Sequence, residues 1–186
     1  MRVIGGSARG RRIRAPSGLT TRPTKDRARQ TLFDVLGQRC DGLRVLDLFA
    51  GSGALGIEAL SRGADECVFV EQDRRALDFL RGNLRELGFC DRAKVRKGDA
   101  LKVDVYSSEG PFDLVLMDPP YFLESLIPLE LVALHSSRLL SEQARIVIEH
   151  FRREEPLARI GPLTAVDRRR FGETMLTFYS YDEKRP

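Results

Sequence analysis

The chain has 186 residues, 42% hydrophobic and 31% charged with a net charge of +4, enough apolar material for a full core in one domain. No apolar run approaches the ~20 residues of a membrane span, and Met1-Arg2-Val3-Ile4-Gly5-Gly6 lacks the apolar core of a secretory signal, so a cytoplasmic, membrane-free monomer is expected. Cys40, Cys67 and Cys90 are odd in number, widely spaced and unaccompanied by histidine clusters, which points to thiols in a reducing compartment rather than to a disulfide or metal site.

The charge is uneven along the chain. Residues 1–40 carry ten Lys and Arg against Asp26 and Asp34, a local excess of +8, while the rest of the chain sums to −4. A basic arm on a mildly acidic body suits a polyanionic partner, nucleic acid above all. Within that arm, Arg2-Val3-Ile4 and Arg11-Arg12-Ile13-Arg14 flank glycine turns and read as a β-hairpin, with Arg9, Arg11, Arg12 and Arg14 as candidate phosphate contacts. Thr24 is placed to cap a helix from about Lys25 to Leu36, burying Ala28, Leu32, Val35 and Leu36. Residues 1–40 are therefore expected to form a hairpin-and-helix extension on a main domain of residues 41–186.

The main domain opens with the apolar run Arg44-Val45-Leu46-Asp47-Leu48, a small-residue turn, and then Ala54 to Arg62 at helical spacing. This is a strand, a glycine turn and a helix, the first unit of a parallel nucleotide-binding sheet. Strands are expected at Glu66–Glu71, Ala93–Lys97, Phe112–Met117 and Ala144–Glu149, with a helix at Arg74–Leu87 stopped by Gly88. Another helix is expected from about Leu126 to Leu140. The runs Ala165–Arg169 and Met175–Ser180 around Gly172-Glu173 read as a closing hairpin. Alternating strands and helices imply an α/β fold with a mostly parallel sheet covered on both faces.

Gly51-Ser52-Gly53-Ala54-Leu55-Gly56 fits G-x-G-x-x-G, and Glu71 follows at the distance of a ribose-binding acid, so a dinucleotide oxidoreductase is a fair first reading. Asp47 argues against a pyrophosphate, which it would repel. Asp47, Glu71, Asp99 and Asp118 each fall at the carboxyl end of a strand, where open α/β sheets bind ligands. Such a crevice suits a nucleoside bearing positive charge. Glu71 can accept ribose hydroxyls and Asp99 can meet an adenine amine, while Asp47 either touches the ligand or holds the loop. S-adenosylmethionine, with its sulfonium, fits these demands. Asp118-Pro119-Pro120-Tyr121 then supplies an acid, a rigid carbonyl and an aromatic face, a set suited to holding an exocyclic amine and stacking its base. His135 and His150 have no partner at metal-ligand spacing.

Asp47-Leu48-Phe49-Ala50-Gly51-Ser52-Gly53 together with Asp118-Pro119-Pro120-Tyr121 resembles the amino-methyltransferases that use S-adenosylmethionine. Arg2-Val3-Ile4-Gly5-Gly6, Arg22-Pro23-Thr24, Thr31-Leu32-Phe33, the stretch from Gly53 to Ala64 and Phe171-Gly172-Glu173-Thr174 narrow the resemblance to the RsmD family. Its members are bacterial enzymes that methylate N2 of one guanine in 16S ribosomal RNA. The resemblance implies a Rossmann-like class I methyltransferase with a seven-stranded, mostly parallel sheet and an antiparallel C-terminal hairpin. It implies cofactor contacts at Thr24, Asp47, Phe49, Ala50, Gly51, Ser52, Gly53, Glu71, Gln72, Asp99, Ala100 and Asp118. The acceptor site would be Asp118, Pro119, Pro120 and Tyr121, with Arg22 joining the arm in binding the RNA of an assembling small subunit. Phe122-Leu123-Glu124 departs from the more polar residues expected after the tyrosine. A DNA adenine amino-methyltransferase is a rival, weakened by the lack of room for a target-recognition domain; a non-catalytic ribosome assembly factor is another.

Overall fold

The computed structural model describes residues 1–16, 23–120, 134–136, 138–153 and 157–181, with side chains in the first helix from residue 26 onward. Helix α1 spans Pro23–Val35, followed by β1 (Arg44–Leu48), α2 (Ala54–Ser61), β2 (Glu66–Glu71), α3 (Arg74–Leu87), β3 (Ala93–Lys97) and β4 (Phe112–Met117). The C-terminal part adds β5 (Leu140–Phe151), β6 (Arg159–Ile160), β7 (Leu163–Phe171) and β8 (Thr174–Tyr181). Among the described residues no helix is long and apolar enough to cross a membrane.

All eight strands join one sheet in the order β3-β2-β1-β4-β5-β8-β7-β6. The first five in that order pair parallel. β8 runs antiparallel to both β5 and β7, so the tail closes the sheet as a hairpin. The strand beyond the seven expected is β6, whose two residues are too few to show a periodicity. Strand order reverses between β1 and β4, which opens a crevice at their carboxyl ends.

Two expected boundaries move. Thr24 is not the cap of α1, because the helix already begins at Pro23, whose fixed φ and missing N–H suit a first helical position. The helix expected over 126–140 lies mostly outside the described residues, but its end is overturned: β5 begins at Leu140, which pairs with Phe112. The apolar pair Leu139-Leu140 serves a helix face or a buried strand equally well, and the neighbouring strand decides.

Alternation along the strands sorts the core into two layers. Val45, Cys67, Phe69, Leu114 and Leu116 pack toward α2 and α3, whereas Leu46, Leu48, Val68, Val70 and Val115 fill the other layer with Tyr106 and Tyr179. Asp47 falls on the helix-facing side by the same alternation. Gly56 lets α2 lie against β2, since a Cβ there would stand 2.3 Å from the Phe69 ring and 2.6 Å from Cys67 Sγ. Cys40 and Cys67 are buried thiols and Cys90 is exposed.

The N-terminal arm folds back as a hairpin, bridging Arg2 to Arg12, with the Val3 N–H on the Arg11 carbonyl at 2.9 Å and the Ile13 N–H on Met1 at 3.0 Å. Its Val3, Ala8 and Ile13 are buried in the same cluster as Leu32, Phe33, Ile57 and Leu60. Glu58, fully buried on α2, fastens it: its carboxylate accepts the N–H groups of Ile4 (2.8 Å) and Gly5 (2.7 Å) and pairs with Arg62 Nε at 2.9 Å.

Candidate active site

The turn after β1 is built on left-handed backbone. Gly51 has φ 56° and Gly53 φ 87°, angles that cost a glycine nothing, and Phe49 adopts φ 61° between them and the strand. Gly53 ends the turn as the residue preceding α2. Buried Ala50 ties the loop to β2 through its N–H on the Val70 carbonyl, 3.0 Å away.

Two of the four strand-end acids hold this turn. Asp47, 1% exposed, accepts the Gly56 N–H at 2.8 Å and so anchors the first turn of α2. Burial pushes its pKa up to about 8; the Gly56 N–H opposes this, and the neighbouring charges of Asp118 and Glu71 add to it. Glu71 reaches across from β2: Oε2 accepts the Gly51 N–H at 2.7 Å, while Oε1 accepts those of Gln72 and Asp73 at 2.8 and 2.7 Å. A carboxylate offers about four acceptor directions. Three are occupied, so as arranged Glu71 can take one further donor, and accepting both ribose hydroxyls requires giving up the Gly51 bond. Asp99 turns back on its own loop, accepting the Leu101 N–H at 3.0 Å.

A cavity of about 110 Å³ opens where these loops meet. Phe49 comes from the exit of β1, Val70, Glu71 and Gln72 from the end of β2 and its exit, Gly98 and Ala100 from the exit of β3, and Asp118 and Pro120 from the exit of β4. It is subsite-sized, a fraction of the ~300–1,000 Å³ of an ordinary ligand pocket. Of the expected cofactor residues, Phe49, Glu71, Gln72, Ala100 and Asp118 line it; Ala50, Gly51, Ser52 and Gly53 form the adjoining loop, Asp47 holds the helix that follows, and Asp99 lies between Gly98 and Ala100. Pro119 is buried between Asp118 and the exposed Pro120. Tyr121 and Arg22 lie outside the described residues, as does the side chain of Thr24. Among the described residues the cavity lining carries two carboxylates and no Lys or Arg, which suits a cationic ligand better than a phosphate.

Sequence reading overlooked Val70 and Gly98 in the lining, and it overlooked Asn83. Buried on α3, Asn83 donates to the carbonyls of Ser52 (3.0 Å) and Arg14 (2.8 Å) and accepts the Arg14 N–H (2.9 Å), stitching the arm to the glycine turn. The signal for it was an amide on the apolar face of α3 between Leu80, Leu84 and Leu87. The arm's arginines also divide. Arg11 donates to the Glu86 carbonyl and Arg14 pairs with the Glu86 carboxylate at 3.1 Å, while Arg9 turns to the opposite side. His150 is buried, its Nε2 2.9 Å from the Thr177 hydroxyl, and His135 meets the Tyr181 hydroxyl at 3.1 Å.

A family described as conserved hypothetical protein 95 matches residues 1–180. The chain is 39% identical over 181 residues to the Bacillus subtilis protein named "Putative rRNA methyltransferase YlbH", covering 96% of this chain and 98% of that one. It is 38% identical over 149 residues to the ribosomal RNA small subunit methyltransferase D of Escherichia coli K12, covering 80% and 74%. The solved structure named "Putative methyltransferase yhhF from Escherichia coli" superposes with a TM-score of 0.84 at 33% identity, covering 99% of both chains. On matches of this extent, joined to the fold and the motifs, the chain belongs to the conserved hypothetical protein 95 family, the RsmD/YlbH methyltransferases.

Proposed function

We propose that the protein methylates the exocyclic N2 amine of a guanine in 16S ribosomal RNA, acting in the cytoplasm as a monomer on an assembling small subunit. The observation that carries this reading is the convergence of Asp118 and Pro120 with Glu71 on one carboxylate-lined cavity at the sheet's switch point. The methyl donor is S-adenosylmethionine. Bound, it supplies an electrophilic methyl group on a positively charged sulfur. Glu71 would hold its ribose with the one acceptor direction still open, and Gly51 and Gly53 let the backbone come close. The carboxylates of Glu71 and Asp118 favour its positive charge.

Asp118 and the Pro119 carbonyl each accept a hydrogen from the guanine amine. That pull draws the nitrogen out of conjugation and exposes its lone pair to the methyl carbon. Attack of that lone pair on the donor's methyl carbon would release the sulfur with the bonding electrons, and the surplus proton of the acidic product amine would pass to water. Catalysis of this kind is positioning and charge placement. The amine-holding tetrapeptide favours this over a vestigial, non-catalytic fold.

Methyl transfer from labelled S-adenosylmethionine to 16S ribosomal RNA, followed by nucleoside analysis, tests the reading directly. Label is expected in N2-methylguanosine, and Asp118→Ala should lower single-turnover transfer at saturating cofactor by roughly 10²-fold, beyond whatever its lost carboxylate costs in cofactor affinity. Label in methyladenosine, or an Asp118→Ala variant of normal rate, would overturn it.

A further inference from the structure

A polar groove of about 670 Å³ crosses the sheet edge opposite the candidate cleft. Ser61, Arg62 and Gly63 at the end of α2 border it, with Asp41 just ahead of β1 and Arg92 just ahead of β3. These are the amino ends of strands whose carboxyl ends carry Phe49 and Gly98. β1 has five residues, which at about 3.3 Å each sets the two edges roughly 17 Å apart.

Four arginines, Arg9, Arg39, Arg62 and Arg92, line the groove, and Asp41 is the one acid among its described lining residues. The buried carboxylate beneath, Glu58, is already committed to Arg62 and the arm's backbone. Arg62 is 8% exposed and rigidly held: Nε on Glu58, Nη1 on the Gln38 carbonyl at 3.1 Å, and the guanidinium 4.8 Å from the centre of the Phe33 ring. Among the described residues its Nη2 has no hydrogen-bond partner. A Cβ at Gly5 would stand 2.6 Å from that nitrogen, so glycine there lets the arm lie directly against the guanidinium. Arg39 spends its guanidinium on Asp41 at 2.6 and 3.1 Å, but that exposed pair is cheaply exchanged for another anion.

We propose that this groove is a second phosphate-binding surface, gripping the RNA backbone at a distance from the methylated base. The inference rests on RNA being the substrate. The arm supplies the path between the two sites. Arg14 meets the glycine turn through Asn83 at one edge, and Ser7 donates to the Ser61 carbonyl at the other, 2.7 Å away. A strand leaving the cleft can therefore follow the arm to the groove, and a fixed second contact would select folded RNA over a short single strand.

The test is the affinity of the full protein for a 16S ribosomal RNA transcript across a salt series. Arg39→Gln with Arg92→Gln should weaken binding about tenfold near 0.15 M salt and flatten the log–log salt slope by about 1.5, the loss of two phosphate contacts. Asp41→Asn should tighten binding, a gain that misfolding cannot imitate. S-adenosylmethionine affinity should be unchanged in both. If the variants methylate the transcript and bind it with wild-type affinity and slope, the groove is no phosphate site, although RNA remains the substrate. If the wild-type protein neither binds nor methylates the transcript, both readings fall together.

Discussion

Asp47 stands at the end of a strand whose alternation turns it away from the cleft and under α2, where it accepts the Gly56 N–H. With a pKa raised to about 8, it keeps a proton in the native state that the unfolded chain releases near pH 4. The native state therefore binds more protons between those values, and stability falls as pH rises from about 4 to about 8, by up to ~1.4 kcal/mol per unit. Asp47→Asn keeps an acceptor for the Gly56 N–H and removes the titration. Its melting temperature should fall less than wild type's between pH 5 and 8, and the two curves should diverge most at the alkaline end. Parallel curves would mean that Asp47 does not titrate there. The acid's place at a strand end was legible from the apolar run before it. Which way it pointed was not, because that depends on which face of β1 the helix covers.

At the scale of elements, α2 joins the two halves of the molecule. Its first turn meets the glycine loop and its last turns meet the arm, through Glu58, Ser61 and Arg62. Glu58→Ala would leave Arg62 and Arg29, 8% and 5% exposed, without their buried carboxylate and strand the N–H groups of Ile4 and Gly5. Breaking a buried pair in this way costs about 3–5 kcal/mol, so denaturant titration should show a loss of that order, with Glu58→Gln milder because its oxygen still accepts. The extents of β2, α3, β3 and β4 could be read in the sequence because each has its own period and its own stop, such as Gly88 with φ 76° closing α3. The roles of Glu58 and Asn83 could not, since the arm residues they hold lie 53 to 69 positions away and a polar side chain on an apolar helix face does not name its partner. The strand-end acids of the site were legible for the opposite reason: a strand's exit is a local signal, and one sheet collects all of them at one edge.

Over the whole molecule, arm, glycine turn and sheet share one buried cluster and are bound to one another through Glu58 and Asn83, so the division at residue 40 is a division of charge more than of packing. A chain built this way should unfold in a single transition, with no separate melting of residues 1–40. A ligand gripping the turn and Glu71 then stabilises all of it by mass action. At a free concentration one hundred times its dissociation constant, S-adenosylmethionine should add about 2.7 kcal/mol of stability. For a chain of this size that is a rise of roughly 5–10 °C in Tm. NAD should produce no shift, because its pyrophosphate would face the carboxylates of Glu71 and Asp118, with no Lys or Arg among the described lining residues to meet it. Glu71→Ala should lose most of the S-adenosylmethionine shift, by weakening binding and by releasing the Gly51, Gln72 and Asp73 N–H groups that the carboxylate holds. Calorimetry of wild type and variant with each ligand decides the matter. Two resolved transitions would separate the arm from the body, and a shift with NAD equal to that with S-adenosylmethionine would return the glycine turn to dinucleotide binding.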